Sequence, residues 1–282
     1  MYKSPDDFVN GSERLSTVPI VYAKLSEAIN SPRSSVGYIS TIIGQDASLT
    51  ARLLRVVNSA FYGFPRKIDT ISRAVLVVGT QQLRDLALAT SVMKLFKKIP
   101  EKYVTMESFW RHSVSCGVAA RTIAGYCREP NVERFFVAGI LHDIGKLIIY
   151  DRMPDKSDVI LKRAMESNEL VYKVEQDIIG FDHAAVGGAL IKAWRLPSNL
   201  EEVVMSHHAP ILSTRYLRDA SIIHVADAIV HAMQLGCSGE QFMPPVNEQA
   251  WKSLELSQEI LPQIFDIVDR QSQDVFERFL AE

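Results

Sequence analysis

The sequence predicts an all-α fold on three observations. Apolar residues recur at helical spacing through nearly every segment, two-residue alternation of the strand type is nearly absent, and the breaks fall at Gly, Pro and N-capping residues. The chain has 282 residues, 47% hydrophobic and 23% charged, which suits a soluble globular chain of one large or two modest domains. A formal charge of -2 without any run of Lys or Arg gives no general pull toward phosphate backbones, so nucleic acid is not an expected partner. The N-terminal MYKSPDDFVNGSERLS is polar, and no apolar stretch approaches the ~20 residues that span a bilayer. No membrane association and a cytoplasmic location are expected. Cys116, Cys127 and Cys237 are far apart and make no CxxC pair. They read as buried small hydrophobes in a reducing compartment, not as a disulfide framework or a thiolate zinc site.

Taken in order, SLTARLLRVVNSAF places Leu49, Leu53, Val56 and Ala60 on one helical face, with Ser48 available as a cap. FYGFPRKID, with Gly63 and Pro65, is a turn. DTISRAVLVVGTQQLRDLALATSVMKLF reads as two helices, the first ending near Gly79 and the second carrying Leu83, Leu86 and Thr90. AVLVV in isolation fits a short buried strand, but nothing nearby pairs with it. Lys94, Lys97 and Lys98 mark a solvated helix end. ESFWRHSVSCGVAARTIAGYC is a helix containing His112, with Phe109 and Trp110 in the core. After the loop REPNVE, the run FFVAGILHDIGKLIIY (135–150) reads as one helix. Asp182 caps a helix that His183 opens. Ser198 and Glu201 have the spacing of a capping box for a helix ended by His207 and His208, with Pro210 just beyond. RYLRDASIIHVADAIVHAMQLG is a long helix ended by Gly236, and the amphipathic tail SQEILPQIFDIVDRQSQDVFERFL folds back onto the body.

All seven histidines lie between positions 112 and 231. His142 and Asp143 sit side by side within an apolar run, and burying both costs free energy unless something pairs with them. A hydrogen-bonded core histidine answers that requirement, and so does a metal ion. Adjacent helical residues differ by about 100° in direction, so the pair can flank one ion. Imidazole with carboxylate suits iron, manganese, nickel or zinc. A carboxylate between two ions can bridge them and activate water for in-line attack on a phosphodiester. Lys146, four residues after His142, shares its helical face.

The set H…HD…D, as His112, His142-Asp143 and Asp227, resembles the HD superfamily of metal-dependent phosphohydrolases. The further His183 and the His207-His208 pair resemble its di-metal branch, which includes the HD-GYP phosphodiesterases. The N-terminal half narrows the resemblance. VPIVYAKLSEAINSP, followed by the pattern Q-D-x-x-L-T-x-x-L-L…N-S-A-F-Y-G, is similar to the HDOD family, the HD-related output domain of bacterial signalling proteins. The likeness runs from about Ser12 to about Leu235. It implies an N-terminal helical part over 12–100, a helical metal-site part over 101–238 and a C-terminal helical extension over 239–282.

Residue by residue, the resemblance implies one divalent ion held by His112, His142, Asp143 and Asp227. A second would share Asp143 and add His183, His207 and His208. Asp143 and Lys146 are the implied catalytic residues, Lys146 facing a substrate phosphate or metal-bound water. Two departures matter. Ser108 stands where the HD-GYP branch has a further glutamate, and the interval from His208 to Asp227 contains no glycine, so the GYP loop is missing. His224 suits either a partner orienting Asp227 or a packing histidine, and His231 is expected to face solvent. The implied function is a signal-transduction output module that engages signalling proteins or a small phosphorylated ligand. The alternative is a metal-dependent phosphohydrolase of a nucleotide or cyclic nucleotide.

Overall fold

The computed structural model describes residues 4–10, 18–32, 34–96 and 104–280. The fold is all-α, with no strand among the described residues. The chain divides into two compact units, one formed by 1–17 with 97–268 and the other by 18–96 with 269–282. The implied boundaries at 12, 100 and 101 lie outside the described residues, as do Lys97 and Lys98. Among the described residues no helix is long and apolar enough to cross a membrane.

Helix α1 (Pro5–Asn10) buries Phe8 and Val9. The smaller unit follows as α2 (Ile20–Asn30), α3 (Val36–Gly44), α4 (Ala47–Val57), α5 (Ile71–Val78) and α6 (Thr80–Leu95). Leu49, Leu53 and Val56 are buried on α4. Its cap is Asp46, whose carboxylate accepts the Leu49 N–H at 2.9 Å, so Ser48 falls inside the helix. Ala60 lies beyond the helix end and is exposed. Asn58 clamps the intervening turn: its amide donates to the Ile68 carbonyl and its oxygen accepts the Ile68 N–H, both at 2.7 Å. AVLVV belongs to α5, and Gly79, at φ +101°, separates α5 from α6.

The larger unit contains α7 (Met106–Tyr126), α8 (Glu133–Leu141), α9 (Ile144–Arg152), α10 (Pro154–Ser167), α11 (Val171–Ile179), α12 (His183–Ala193), α13 (Ser198–Ser206), α14 (Leu217–Ala232) and α15 (Glu248–Ser253). Helix α16 (Leu261–Leu280) contributes its first eight residues here and the remainder to the smaller unit. Ile264, Val268, Val275, Phe276 and Phe279 form its buried stripe. Helix α7 packs against α8 and α14, and α12 packs against α13, α9 and α1.

Two close approaches set the site. A Cβ on Gly139 would meet the Gly117 backbone at 2.6 Å, so α8 and α7 touch main chain to main chain below His112 and His142. Gly145 lies tighter still against the His183 carbonyl, which draws the start of α9 onto the start of α12. Both contacts need the missing side chain.

The segment 135–150 is two helices, not the single one its periodicity predicts. Leu141 ends α8, Ile144 begins α9, and Asp143 occupies the junction at φ −96°, ψ 7°. Asp143 takes the N-cap position of α9, yet its side chain makes no capping bond. The carboxylate is instead turned toward the histidines described below. The Ser198–Glu201 capping box does not form either. Pro197 holds the cap position, which leaves Ser198 inside the helix with its hydroxyl 3.4 Å from that of Tyr216. Asp182 does cap α12, accepting the Ala185 N–H at 2.8 Å.

Candidate metal centre

The polar groups of the site come from five places in the larger unit. His112 lies in the second turn of α7, His142 and Asp143 at the α8–α9 junction, and Lys146 in the first turn of α9. His183 opens α12, His207 and His208 follow α13, and Asp227 and His231 lie on α14. His112, His142, Asp143, His183 and His207 are all at most 1% exposed, Lys146 2% and Asp227 5%; His208 is only half-buried.

Asp143 stands at the centre, one oxygen toward each half. Its Oδ2 lies 3.4 Å from His142 Nε2, 3.8 Å from His112 Nε2 and 2.9 Å from Lys146 Nζ. Its Oδ1 lies 3.1 Å from His183 Nε2 and 3.8 Å from His207 Nε2. Asp227 Oδ1 closes the first half, 3.2 Å from His112 Nε2 and 3.6 Å from His142 Nε2. His208 Nε2 joins the second half, 2.8 Å from His183 Nε2. The structure thus brings together all eight residues singled out from the sequence, with Lys146 turned inward toward Asp143.

The ring orientations are set from behind. His142 Nδ1 donates to the Gly139 carbonyl and His207 Nδ1 to the Val204 carbonyl, each at 2.7 Å, since only an N–H can face a carbonyl oxygen there. His183 Nδ1 lies 2.6 Å from Glu175 Oε2. Each bond leaves Nε2 aimed at the centre. His142 Nε2 and His207 Nε2 are buried there with no hydrogen-bond partner.

Charge explains how so many polar groups tolerate burial. Burial alone raises the Asp143 pKa, but His142 and Lys146 outweigh it and hold this carboxyl well below the usual range. Asp227 is likewise held down, chiefly by His231 against the effect of burial. Burial opposes protonation of His142, yet Asp143 and Asp227 raise it to about 10. His183 rises to about 9 because Glu175 and Asp143 overcome burial. Burial wins at His112 and His207, lowered to about 4 and about 3. The two buried carboxylates are thus balanced by Lys146 and by protons on His142 and His183, which an ion at the centre would replace.

The donor spacing fits a divalent ion. Nitrogen or oxygen donors bonded tetrahedrally to zinc lie about 3.3 Å from one another. The imidazole–carboxylate distances around Asp143 Oδ2 and Asp227 Oδ1 run from 3.2 to 3.8 Å. Direct hydrogen bonding would draw them in to roughly 2.9 Å. Among the described residues, donor atoms close enough to share a metal belong to His112, Cys116, His142 and Asp227; to His183, His207 and His208; and to His142, Asp143 and His207.

Several residues depart from expectation. His231 does not face solvent: its side chain is 8% exposed and Nε2 lies 3.3 Å from Asp227 Oδ1, one helical turn away. His224 is not Asp227's partner; Nδ1 donates to the His207 carbonyl and Nε2 accepts the Asn247 N–H, so it fastens two segments of chain. Cys116 is buried, as expected, but its sulfur lies 3.6 Å from His112 Nε2 rather than among apolar side chains alone. Sequence reasoning missed Glu175 and Ser238. Ser238 Oγ accepts from Lys146 Nζ at 2.9 Å, while its carbonyl accepts the Tyr150 hydroxyl at 2.8 Å. Glu175 carried a readable signal, because it shares the apolar face of α11 with Val171, Val174 and Ile179.

The HDOD domain model matches residues 15–210 of the chain. A curated, uncharacterized protein of Treponema pallidum (strain Nichols) is 24% identical over 201 residues, which is 70% of this chain and 39% of that protein. The chain therefore spans about two-fifths of that relative's length. Among solved structures, an HDOD domain protein of unknown function from Geobacter sulfurreducens is 25% identical with a TM-score of 0.81, over 98% of this chain and 97% of the other. A Shewanella amazonensis SB2B protein named as a candidate phosphohydrolase is 22% identical with a TM-score of 0.75, over 99% and 100%. A Marinobacter aquaeolei VT8 protein named as a candidate signal transduction protein is 17% identical with a TM-score of 0.73, over 93% and 58%. The last two likenesses are of fold.

Proposed function

The chain belongs to the HDOD domain family, and from that premise we propose that it is a bacterial signalling output module built around a metal centre. His112, His142, Asp143 and Asp227 hold one divalent ion; Asp143, His183, His207 and His208 hold a second. One observation carries the regulatory reading. The donors of the first half are almost fully enclosed, and the Lys146 ammonium is already committed to Asp143 Oδ2 and Ser238 Oγ instead of an incoming phosphate. Ions held there tie α7, the α8–α9 junction, α12, α13 and α14 into one arrangement, which sets the surface that signalling proteins meet. Iron, manganese, nickel and zinc all suit these donors.

A specific feature favours the second reading, a metal-dependent phosphohydrolase of a nucleotide or cyclic nucleotide. The two Asp143 oxygens face the two donor sets separately. Ions on both sides of such a carboxylate supply Lewis acidity and an activated water for phosphodiester attack.

Protein purified without an affinity tag, never exposed to chelator, is assayed for metal and then screened against phosphodiesters and nucleotides. The expected result is about one or two equivalents of a transition metal, a lower melting temperature after chelation, and no turnover. Turnover that disappears in a folded Asp143→Ala variant would transfer the protein to the enzyme class. A metal content near zero would remove the metal centre from both readings.

A further inference from the structure

We propose that the Cys116 sulfur is a direct ligand of the ion held by His112, His142, Asp143 and Asp227. This half of the centre then prefers borderline ions such as zinc, cobalt or ferrous iron over magnesium and manganese. The inference rests on the metal-binding reading above and makes the two halves chemically different.

Cys116 follows His112 by one turn of α7, so both side chains leave the helix on the same face. The residue is fully buried. Its sulfur lies 3.6 Å from His112 Nε2 and 3.8 Å from Asp227 Oδ1. The donor atoms of His112, Cys116, His142 and Asp227 all fall within 4.8 Å of one another. A sulfur about 2.3 Å and a nitrogen about 2.05 Å from one zinc stand about 3.6 Å apart at a tetrahedral angle and about 3.8 Å apart at the roughly 120° of a five-coordinate ion. The 3.6 Å found fits that range.

A second feature points to the same occupant. His142 Nε2 is completely buried, has no hydrogen-bond partner and is aimed into the space that the sulfur borders. A thiol is a weak hydrogen-bond donor, and here two imidazoles and a carboxylate lie beside it. Once a cation sits among these donors, the sulfur–metal bond forms as the S–H proton leaves to solvent. The second half has no such donor. Cys127 Sγ donates to the Leu254 carbonyl and Cys237 Sγ to the Glu240 carbonyl.

Two measurements test the assignment. Cobalt(II)-loaded protein should show near-ultraviolet sulfur-to-metal charge-transfer absorption together with visible ligand-field bands. In Cys116→Ser the charge-transfer band should vanish while the ligand-field bands remain, and zinc affinity should fall roughly tenfold or more. Cys127→Ser and Cys237→Ser should keep the band. A band surviving in Cys116→Ser would place the sulfur elsewhere and overturn the proposal. X-ray absorption at the zinc edge of the unmutated protein needs no variant to fold, and should show a sulfur neighbour at about 2.3 Å. Stoichiometric zinc with only nitrogen and oxygen neighbours would overturn the sulfur ligand and leave the metal centre standing; no bound zinc or cobalt would overturn both.

Discussion

Protons on His142 and His183 balance the Asp143 carboxylate when no cation is present, and that has a measurable consequence. His142 and His183 have pKa values raised to about 10 and about 9, so below those values the metal-free protein carries protons on nitrogens whose lone pairs an ion needs. Metal binding must displace them. Affinity should therefore rise with pH from neutrality toward pH 9, and each binding event near pH 7.5 should release protons to the buffer. Calorimetry in buffers of differing ionisation enthalpy measures that release; an enthalpy independent of buffer would contradict the protonation pattern. Glu175 acts one bond further out. Its Oε2 holds His183 Nδ1 at 2.6 Å and also accepts the His183 backbone N–H at 2.8 Å, fixing ring and helix start together. Glu175→Gln keeps the shape but removes the charge. Affinity at the His183, His207 and His208 half should drop about 10- to 100-fold, with the His112 half much less affected. Competitive chelator titration resolves the two steps.

At the scale of elements, helix identity was legible and helix interruption was not. The periodicity of α4 follows directly from where Leu and Val recur, because that helix buries one stripe, whereas α7 and α14 read as helices from their length and apolar content and are buried on nearly every face. The break at His142–Asp143 carries no comparable signal. Apolar residues flank it on both sides without proline, and Asp143 does not behave as a capping residue because its carboxylate serves the centre. Glycines hold the clue, since Gly139 and Gly145 look merely tolerated in sequence and are required in space. Gly139→Ala puts a methyl against the Gly117 backbone, where no flexible side chain can yield. It should cost about 1–3 kcal/mol in urea unfolding and weaken metal binding by shifting His142, which bonds to the Gly139 carbonyl. A variant with unchanged stability and metal content would show that α7 and α8 adjust without loss.

Over the whole molecule, the order of donors along the chain was readable while their company was not. His112, His142, Asp143, His183, His207, His208 and Asp227 stand in the order of the family they resemble, but Cys116, Glu175 and His231 enter the centre only because α7, α11 and α14 converge there. The same convergence bears on substrate. Hydrolysing cyclic di-GMP requires the scissile phosphate to be held in line with attacking water, and small misplacements cost rate heavily. In the HD-GYP branch that the sequence resembles, a glycine-bearing loop after the paired histidines is implicated in this holding. Here the corresponding stretch passes through a short 3-10 turn, Pro210–Leu212, and enters α14 at Leu217 without a glycine to let backbone approach a ligand closely. Lys146, the nearest ammonium for a phosphate, is buried against Asp143 and Ser238. The protein should therefore leave cyclic di-GMP unhydrolysed at the rates of an HD-GYP phosphodiesterase, even when fully metal-loaded, and any activity should be toward smaller or different phosphoesters. Chromatography of long incubations is the measurement. Rapid conversion to pGpG or GMP, abolished by His142→Ala, would mean that enclosure of the centre yields to substrate, and that the glycine-free interval can do what the loop does.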